Sequence, residues 1–456
     1  MNMARNSRAG ANYKLHDKLE DGCALTRANA LTTRMRTAAY LFLTATLTLS
    51  AQGPAINIEQ AVQEALDHNL DLIAAKYELP IAETRLITAR LRPNPVMSLS
   101  ADHLDVLGTG YNSINNGGPP EYAYRTDFLL ERGSKRAARI AVAENDRAVA
   151  RFNVLNAARS VILDAQSAFL DVLAAKENLQ LAEDNRKALA GIVNVNETRV
   201  RTGDLAAVEL SRSKVAALQF ETAVAQARIR LREAQNKLQL VMGRTELSPT
   251  FDVTGDFRRD TINVPFDQLA GESLRTRPDI ESLRAAQARS QADLRLQIAQ
   301  GRVDYTVGTE YRRQQGISGM GNSLGFFFSA PIPVFNRNQG EIERAKRESD
   351  QAAARIHALE TTIRNQITTA WQHYESSRTL LQQVESAMLD QAQQVRKITE
   401  YSYRRGEATL VEFLDAQRAF NDTMQTYNEA RADYARSLYL LEALSGARGN
   451  AQERVP

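Results

Sequence analysis

Cysteine occurs once in this 456-residue chain, at Cys23. Beyond that position a disulfide framework, a thiolate nucleophile and a Cys-based metal site are all excluded. Proline is scarce at 12 residues and tryptophan occurs once. The chain has no phosphate-cradling glycine loop and no HExxH helix. His68, His103, His357 and His373 lie far apart without ligand spacing, so neither a metal nor any other cofactor is expected. No convergent catalytic set is visible, which argues against an enzyme. Charge of one sign is missing too. The net +3 comes from residues 1–51, with seven basic and three acidic side chains; the remainder holds 50 basic against 51 acidic. That balance excludes the basic footprint of a nucleic-acid binder.

A long apolar run is also absent. Ala38 to Leu49 is apolar, preceded by Arg34 and Arg36 and followed by Ser50-Ala51. This is the pattern of a secretory leader, too short to span a bilayer as a helix. Residues 1–51 are therefore expected to be a leader, with Met35 as an alternative start and 1–34 patternless. Cys23 has no apolar segment before it and does not resemble a lipid-attachment cysteine.

What the chain does have is a duplication. RTGDLAAVELSRSK begins at Arg201 and RRGEATLVEFLDAQ at Arg404, 203 positions later. Arg201 matches Arg404, Gly203 matches Gly406, Asp204 matches Glu407, Glu209 matches Glu412 and Leu238 matches Leu441. Gly243 and Gly446 close the two copies, each 40 positions beyond the opening glycine, with no Gly or Pro between. A glycine that ends one long helix before another begins predicts a helical hairpin, present twice.

The two halves share an order. A helical pattern runs from Ile58 to Leu91, stopping at Arg92-Pro93, and again from Phe266 to Ala299. Alternating segments follow: VMSLSADH (96–103) and EYAYRTDFLL (121–130), then VDYTVGTEYR (303–312) and NSLGFFFSA (322–330). Tyr122, Tyr124, Phe128, Tyr305, Tyr311, Phe326 and Phe328 recur at alternate positions, so each pair reads as a β-hairpin. The first hairpin carries the longer loop, 105–120. Long helices come next; Gly191 is the one breaker between Ser134 and Thr202, and Glu341 to Arg405 has none. Phe152, Leu155, Ile162, Phe169, Leu170 and Leu173 are the expected buried seam, and Trp371 is read as packing.

The expected organisation is a leader at 1–51 and a first repeat at 52–243, with hairpin 95–131 and helical hairpin 134–243. A loop-like linker at 244–265 leads to a second repeat at 266–446, with hairpin 303–334 and helical hairpin 338–446. A disordered tail at 447–456 closes the chain. Four strands of about membrane-crossing length cannot close a lipid-embedded barrel alone, because the open edges would leave unpaired amides and carbonyls. Either the hairpins are soluble, or several copies pool their strands.

The sequence resembles the TolC-like outer membrane factors of tripartite efflux systems, nearest to the subgroup serving heavy-metal resistance-nodulation-division pumps. The Arg-x-Gly-acidic turns at Arg201–Asp204 and Arg404–Glu407 and the segment APIPVFNRNQGEIERA (330–345) carry the resemblance, with FLLERGSKRAARI (128–140) as a weaker counterpart. It spans Ile58 to Gly446. It implies a mainly α fold with a small β part, a homotrimer with a 12-stranded transmembrane β-barrel in outer membrane lipid, and a periplasmic α-helical barrel. It further implies a passive exit duct for substrates such as metal cations or drugs, with a periplasmic adaptor (membrane fusion protein) and an inner-membrane RND-type transporter as partners. Arg201, Gly203, Asp204, Arg404, Gly406 and Glu407 would form the adaptor-docking tip, against the plainer reading of helix punctuation. Glu412 and Asp415, with Glu209 as first-repeat counterpart and Tyr403 as a latch, would form a periplasmic gate of charged rings. Thr409 and Glu412 also fit an ordinary capping box. A soluble periplasmic coiled-coil scaffold and a type I secretion exit duct are the alternatives.

Overall fold

The computed structural model describes residues 55–108, 110, 118–316 and 318–445. The leader with Cys23, Gly446 and the tail lie outside them.

In chain order the elements are α1 (Ile58–His68), α2 (Leu70–Lys76), α3 (Glu78–Arg90), β1 (Val96–Asp102), β2 (Glu121–Leu130), α4 (Lys135–Thr202) and α5 (Ala207–Val241). The second half supplies α6 (Phe266–Thr276), α7 (Pro278–Gln300), β3 (Tyr305–Gly316), β4 (Gly319–Ser329), α8 (Gln339–Gln383), α9 (Leu389–Arg405) and α10 (Leu410–Ser445). The 68 residues of α4 extend roughly 100 Å at 1.5 Å per residue. Gly191 passes unbroken within it, with open space where a Cβ would stand.

The strands form one antiparallel sheet, β1-β2-β3-β4. Its register separates two chemistries. Met97, Leu99, Tyr122, Tyr124, Phe128, Val307, Tyr311, Leu324, Phe326 and Phe328 share one face by their cross-strand pairing. Ser98, Ser100, Arg125, Asp127, Glu310, Arg312 and Ser323 share the other. The polar face carries ion pairs, Arg125–Asp127 at 2.9 Å and Arg312–Glu310 at 2.9 Å. The apolar face stays open, with Phe326 at 79% and Leu99 at 72% exposure. The edges of β1 and β4 are unpaired among the described residues.

Beneath the sheet the helices lie side by side in an order that follows the strands. Near the sheet the sequence of neighbours is α3, α4, α7, α8; toward the far end it is α5, α4, α10 and then α8 with α9. So α4 and α8–α9 run the full length, while α3 above α5 and α7 above α10 each share a lane. The junctions are bonded: Asn69 Nδ2 donates to Val241 O at 2.8 Å, and Thr276 Oγ1 to Ser445 O at 3.4 Å.

Three local expectations change. The first opening helix is not continuous: Asn69 ends α1 and caps α2, accepting from Leu72 N at 2.9 Å, and Tyr77 marks a second break. The second breaks at Arg277, with Pro278 opening α7, because proline suits a helix's first turn and disfavours the helix before it. The linker is loop-like but not idle, since Phe251, Val253 and Phe257 are buried against α1, α4 and α10. A parallel bridge joins Ile56 to Val253. The helix from Gln339 to Arg405 also contains a π turn, Val384–Met388, for which no glycine or proline gave a signal.

Candidate docking tip and gate

Both glycine turns lie at the end of the helices farthest from the sheet, and they are built alike. Gly203 has φ +84° and Gly406 φ +82°. Gly203 N donates to Val200 O at 3.2 Å and Asp204 N to Arg199 O at 2.8 Å; Gly406 N donates to Tyr403 O at 3.0 Å and Glu407 N to Ser402 O at 2.9 Å. This is the left-handed cap that satisfies the last carbonyls of a helix. The duplication therefore extends to backbone geometry.

The two turns are pinned together. Tyr403 is 3% exposed, stacked on Phe413 with ring centroids 5.5 Å apart. Its hydroxyl donates to Asn196 Oδ1 at 2.8 Å, and Arg199 Nη1 donates to Tyr403 O at 3.4 Å. Leu189, Ile192, Ala216 and Leu410 complete this small core. Burial pushes the Tyr403 phenol above its ordinary pKa, with the Asn196 bond and the nearby Arg199 acting the other way. Asn194, Thr198, Arg199, Asp204, Arg404 and Arg405 line an open cleft between the turns. Arg404 pairs with Glu400 at 2.8 Å, Arg405 with Glu407 at 3.8 Å, and Thr202 Oγ1 donates to Asp204 at 2.7 Å. Arg201 is exposed.

The acidic candidates sit in separate local contacts. Glu412 is held by Thr409, whose backbone N–H and hydroxyl donate to Oε2 at 2.7 and 2.9 Å while Thr409 Oγ1 accepts from Glu412 N at 3.3 Å. The capping box is thus formed. These donors, the Thr409 backbone first, hold the Glu412 carboxyl below its ordinary pKa. Asp415 is exposed and meets Arg418 at 3.3 Å; Glu209 meets Arg212 at 2.7 Å. Tyr403 belongs to the tip core rather than to this acidic surface.

A buried amide ladder along α4 and α10 escaped the sequence reading. Asn428 Nδ2 donates to Asn178 Oδ1 at 2.9 Å, Asn185 Nδ2 to Asn421 Oδ1 at 2.7 Å, and Gln417 Nε2 to Asn185 Oδ1 at 2.8 Å. Asn178 and Asn185 stand one heptad apart, as do Asn421 and Asn428. That recurrence inside long helices was the available signal, since buried asparagines in a coiled seam fix register.

The outer membrane efflux protein family matches residues 269–447. The chain is 26% identical to the cobalt-zinc-cadmium resistance protein CzcC of Cupriavidus metallidurans, over 81% of this chain and 84% of that one. It is 22% identical to outer membrane protein TolC of Escherichia coli, over 84% and 81%. Among solved structures, the Campylobacter jejuni CmeC outer membrane channel superposes with TM-score 0.73 at 15% identity, over 90% and 93% of the two chains. CusC superposes with TM-score 0.66 at 18% identity, over 88% and 95%. With its duplicated glycine turns, two-faced sheet and full-length helical staves, the chain is similar along most of its length to the TolC-like outer membrane efflux proteins.

Proposed function

We propose that this protein is the passive exit duct of a tripartite efflux system, completed by threefold self-association. The family places it in the outer membrane with its helices in the periplasm, as a channel rather than an enzyme. One observation carries the rest: a sheet whose exposed aromatic and aliphatic side chains gather mainly on one face and whose ion pairs lie on the other, with both edges unpaired among the described residues. In lipid those edge groups cost several kcal/mol each if left open. Three copies supply twelve strands, enough to close a barrel. The apolar face then meets lipid, and the Arg125–Asp127 and Glu310–Arg312 pairs line the lumen. Energy comes from an inner-membrane pump, joined through a periplasmic adaptor. The organisation into leader, two repeats and linker belongs to the same reading, the leader directing export.

The two glycine turns form the adaptor-docking tip. Arg201 and Arg404 offer exposed guanidinium donors beside Asp204 and Glu407, suited to a partner's backbone and carboxylates. Glu412 and Asp415, with Glu209, form the cation-attracting ring of the gate. Tyr403 acts beneath that ring by holding the two turns together. The likeness to CzcC, a protein named for cobalt, zinc and cadmium resistance, favours divalent metal cations as cargo. The test is complementation. Expressed together with the adaptor and inner-membrane pump of a metal-efflux system, the wild-type chain should restore zinc, cadmium or cobalt resistance to a strain lacking its own channel. Heat-modifiable trimers should appear in the outer-membrane fraction. A monomer in the osmotic-shock fluid refutes the duct, whereas resistance to drugs alone refutes only the cargo.

A further inference from the structure

The apolar face of the sheet ends where the helices begin, and cationic side chains gather just past that border. By register the last row on this face is Leu130 beside Tyr305, and the row before it is Phe128, Val307 and Phe328. The Tyr305 and Phe328 rings lie 5.2 Å apart. Arg132, two residues beyond Leu130, holds its guanidinium 4.3 Å from the Tyr305 ring centroid and donates to the Tyr305 hydroxyl. It therefore stands on the apolar side of the sheet, at its margin.

Charge is one-sided there. Segments 88–95 and 130–139 hold six basic side chains and one acidic, Glu131, whereas residues 52–456 as a whole hold 50 basic against 51 acidic. The matching segments of the second half, 296–303 and 330–339, hold only Arg302 and Arg337. Two of the six are neutralised, Arg139 by Glu131 and Lys135 by Asp304 at 2.6 Å. Asp304 also accepts from the Arg132 backbone N–H at 2.8 Å. Arg90, Arg92, Arg132 and Arg136 are exposed, with no carboxylate at ion-pair distance among the described residues. Backbone contacts hold the group together: Arg136 Nε donates to Arg90 O at 2.7 Å, and Arg139 Nη2 to Leu91 O at 3.4 Å. Helix α4 opens among them without a side-chain cap or an acid in its first turn, so its dipole adds to the positive field.

Unanswered guanidinium groups at the margin of a lipid-facing surface are suited to phosphate. Tyrosine at such a margin sits at headgroup level, which puts Arg132 at the height of the lipid phosphates. Arg136 lies in the first turn of α4 just beneath, and arginine extends along a surface to bring its charge to the interface. The planar guanidinium fork matches phosphate oxygens in pairs. A zwitterionic headgroup would leave most of the cluster's charge unbalanced.

We propose that Arg90, Arg92, Arg132 and Arg136 form a docking site, one per chain, for the phosphodiester headgroup of an anionic phospholipid in the periplasmic leaflet, of the phosphatidylglycerol or cardiolipin type. This rests on the duct reading, which turns the apolar face to lipid, and deepens it by naming the lipid. The bound headgroup holds the junction of sheet and helices at the membrane surface.

The test uses the full-length chain purified from outer membranes in a non-ionic detergent. It is titrated with mixed micelles containing phosphatidylglycerol or phosphatidylcholine, and lipid retained per chain is read by native mass spectrometry. The wild-type chain should bind phosphatidylglycerol in preference to phosphatidylcholine. Arg132→Gln/Arg136→Gln should weaken the apparent Kd for phosphatidylglycerol about 30-fold, the equivalent of about 2 kcal/mol for two charges at a membrane surface. Arg230→Gln/Arg355→Gln, at exposed positions of the shaft, should leave it unchanged. Should the first variant not assemble, Arg90→Gln/Arg92→Gln carries the same expectation at an exposed helix end. Unchanged binding by the variant, equal binding of the two lipids by the wild type, an equal loss in the shaft control, or full displacement by millimolar inorganic phosphate overturns the site. In each of those cases heat-modifiable trimers in the outer membrane leave the duct standing. A wild-type chain absent from the outer membrane defeats the duct reading and the site together.

Discussion

Three glycines in this chain adopt one backbone conformation in three different surroundings, and their alanine variants should separate accordingly. Gly203, Gly243 and Gly406 have φ of +84°, +80° and +82°. An alanine in that region costs about 1–2 kcal/mol wherever it stands. At Gly203 a Cβ meets nothing within 4 Å, so G203A should lose about 1.5 kcal/mol, the backbone term alone. At Gly406 it stands 3.0 Å from Arg199 Nη2, a side-chain end that can move. G406A should therefore lose about 1 kcal/mol more, through the bond from Arg199 to Tyr403 O. At Gly243 the Cβ would stand 1.9 Å from His68 O and 2.5 Å from its carbonyl carbon. The α1–α2 junction must then retreat, straining the Asn69–Val241 bond. Overpacking and the lost bond bring G243A to about 4 kcal/mol. Far-UV circular dichroism of the detergent-solubilised protein, at one fixed heating rate because unfolding will be irreversible, ranks the three. At about 2 °C per kcal/mol, G243A drops about 8 °C and G203A about 3 °C. Equal shifts for Gly203 and Gly243 would refute the close approach.

Charge reversal of Arg201 and Arg404 together should abolish metal or drug resistance while trimers remain in the outer membrane; intact resistance counts against the docking tip. Changing Glu412 and Asp415 to alanine should raise single-channel conductance in planar bilayers and weaken block by divalent cations, and an unchanged trace removes the gate assignment. N185L leaves the buried Gln417 amide and the half-buried Asn421 amide without their partner, costing about 2–4 kcal/mol, readable as a lower thermal midpoint than that of N194L in the tip cleft. Asp279 is raised by burial but lowered more by Arg277, at 2.6 Å, and by Arg159 and the Ile280 N–H, so its net folded pKa is depressed. Its contribution is therefore complete above the ordinary carboxylate range and lost as pH falls through the lowered folded value. D279N should flatten that acidic part of the stability–pH curve, and an unaltered curve would contradict the linkage.

The sequence by itself determined the duplication, the helix-ending role of Gly203 and Gly406, the alternating strands and the absence of cysteine chemistry. These are local signals. Glycine at a helix end, period-two aromatics and a spacing of 203 between copies depend on residues near one another in the chain. Even the Thr409–Glu412 capping box was legible, because its partners stand three residues apart. The tertiary structure decided what depends on distant segments meeting. The burial of Tyr403 against Asn196, the packing of Phe251, Val253 and Phe257, and the break at Asn69 that lets α5 end against α1 all join residues remote in sequence. So does the sorting of strands into one sheet with an apolar and a charged face, since alternation names two faces without saying which strands share them. The π turn at Val384–Met388 left no trace in the sequence, because inserting one residue into a helix needs no glycine or proline. Within it, Glu385 accepts from Tyr427 Oη at 3.2 Å and meets Arg259 at 3.4 Å, contacts that exist only once the linker and α10 have packed.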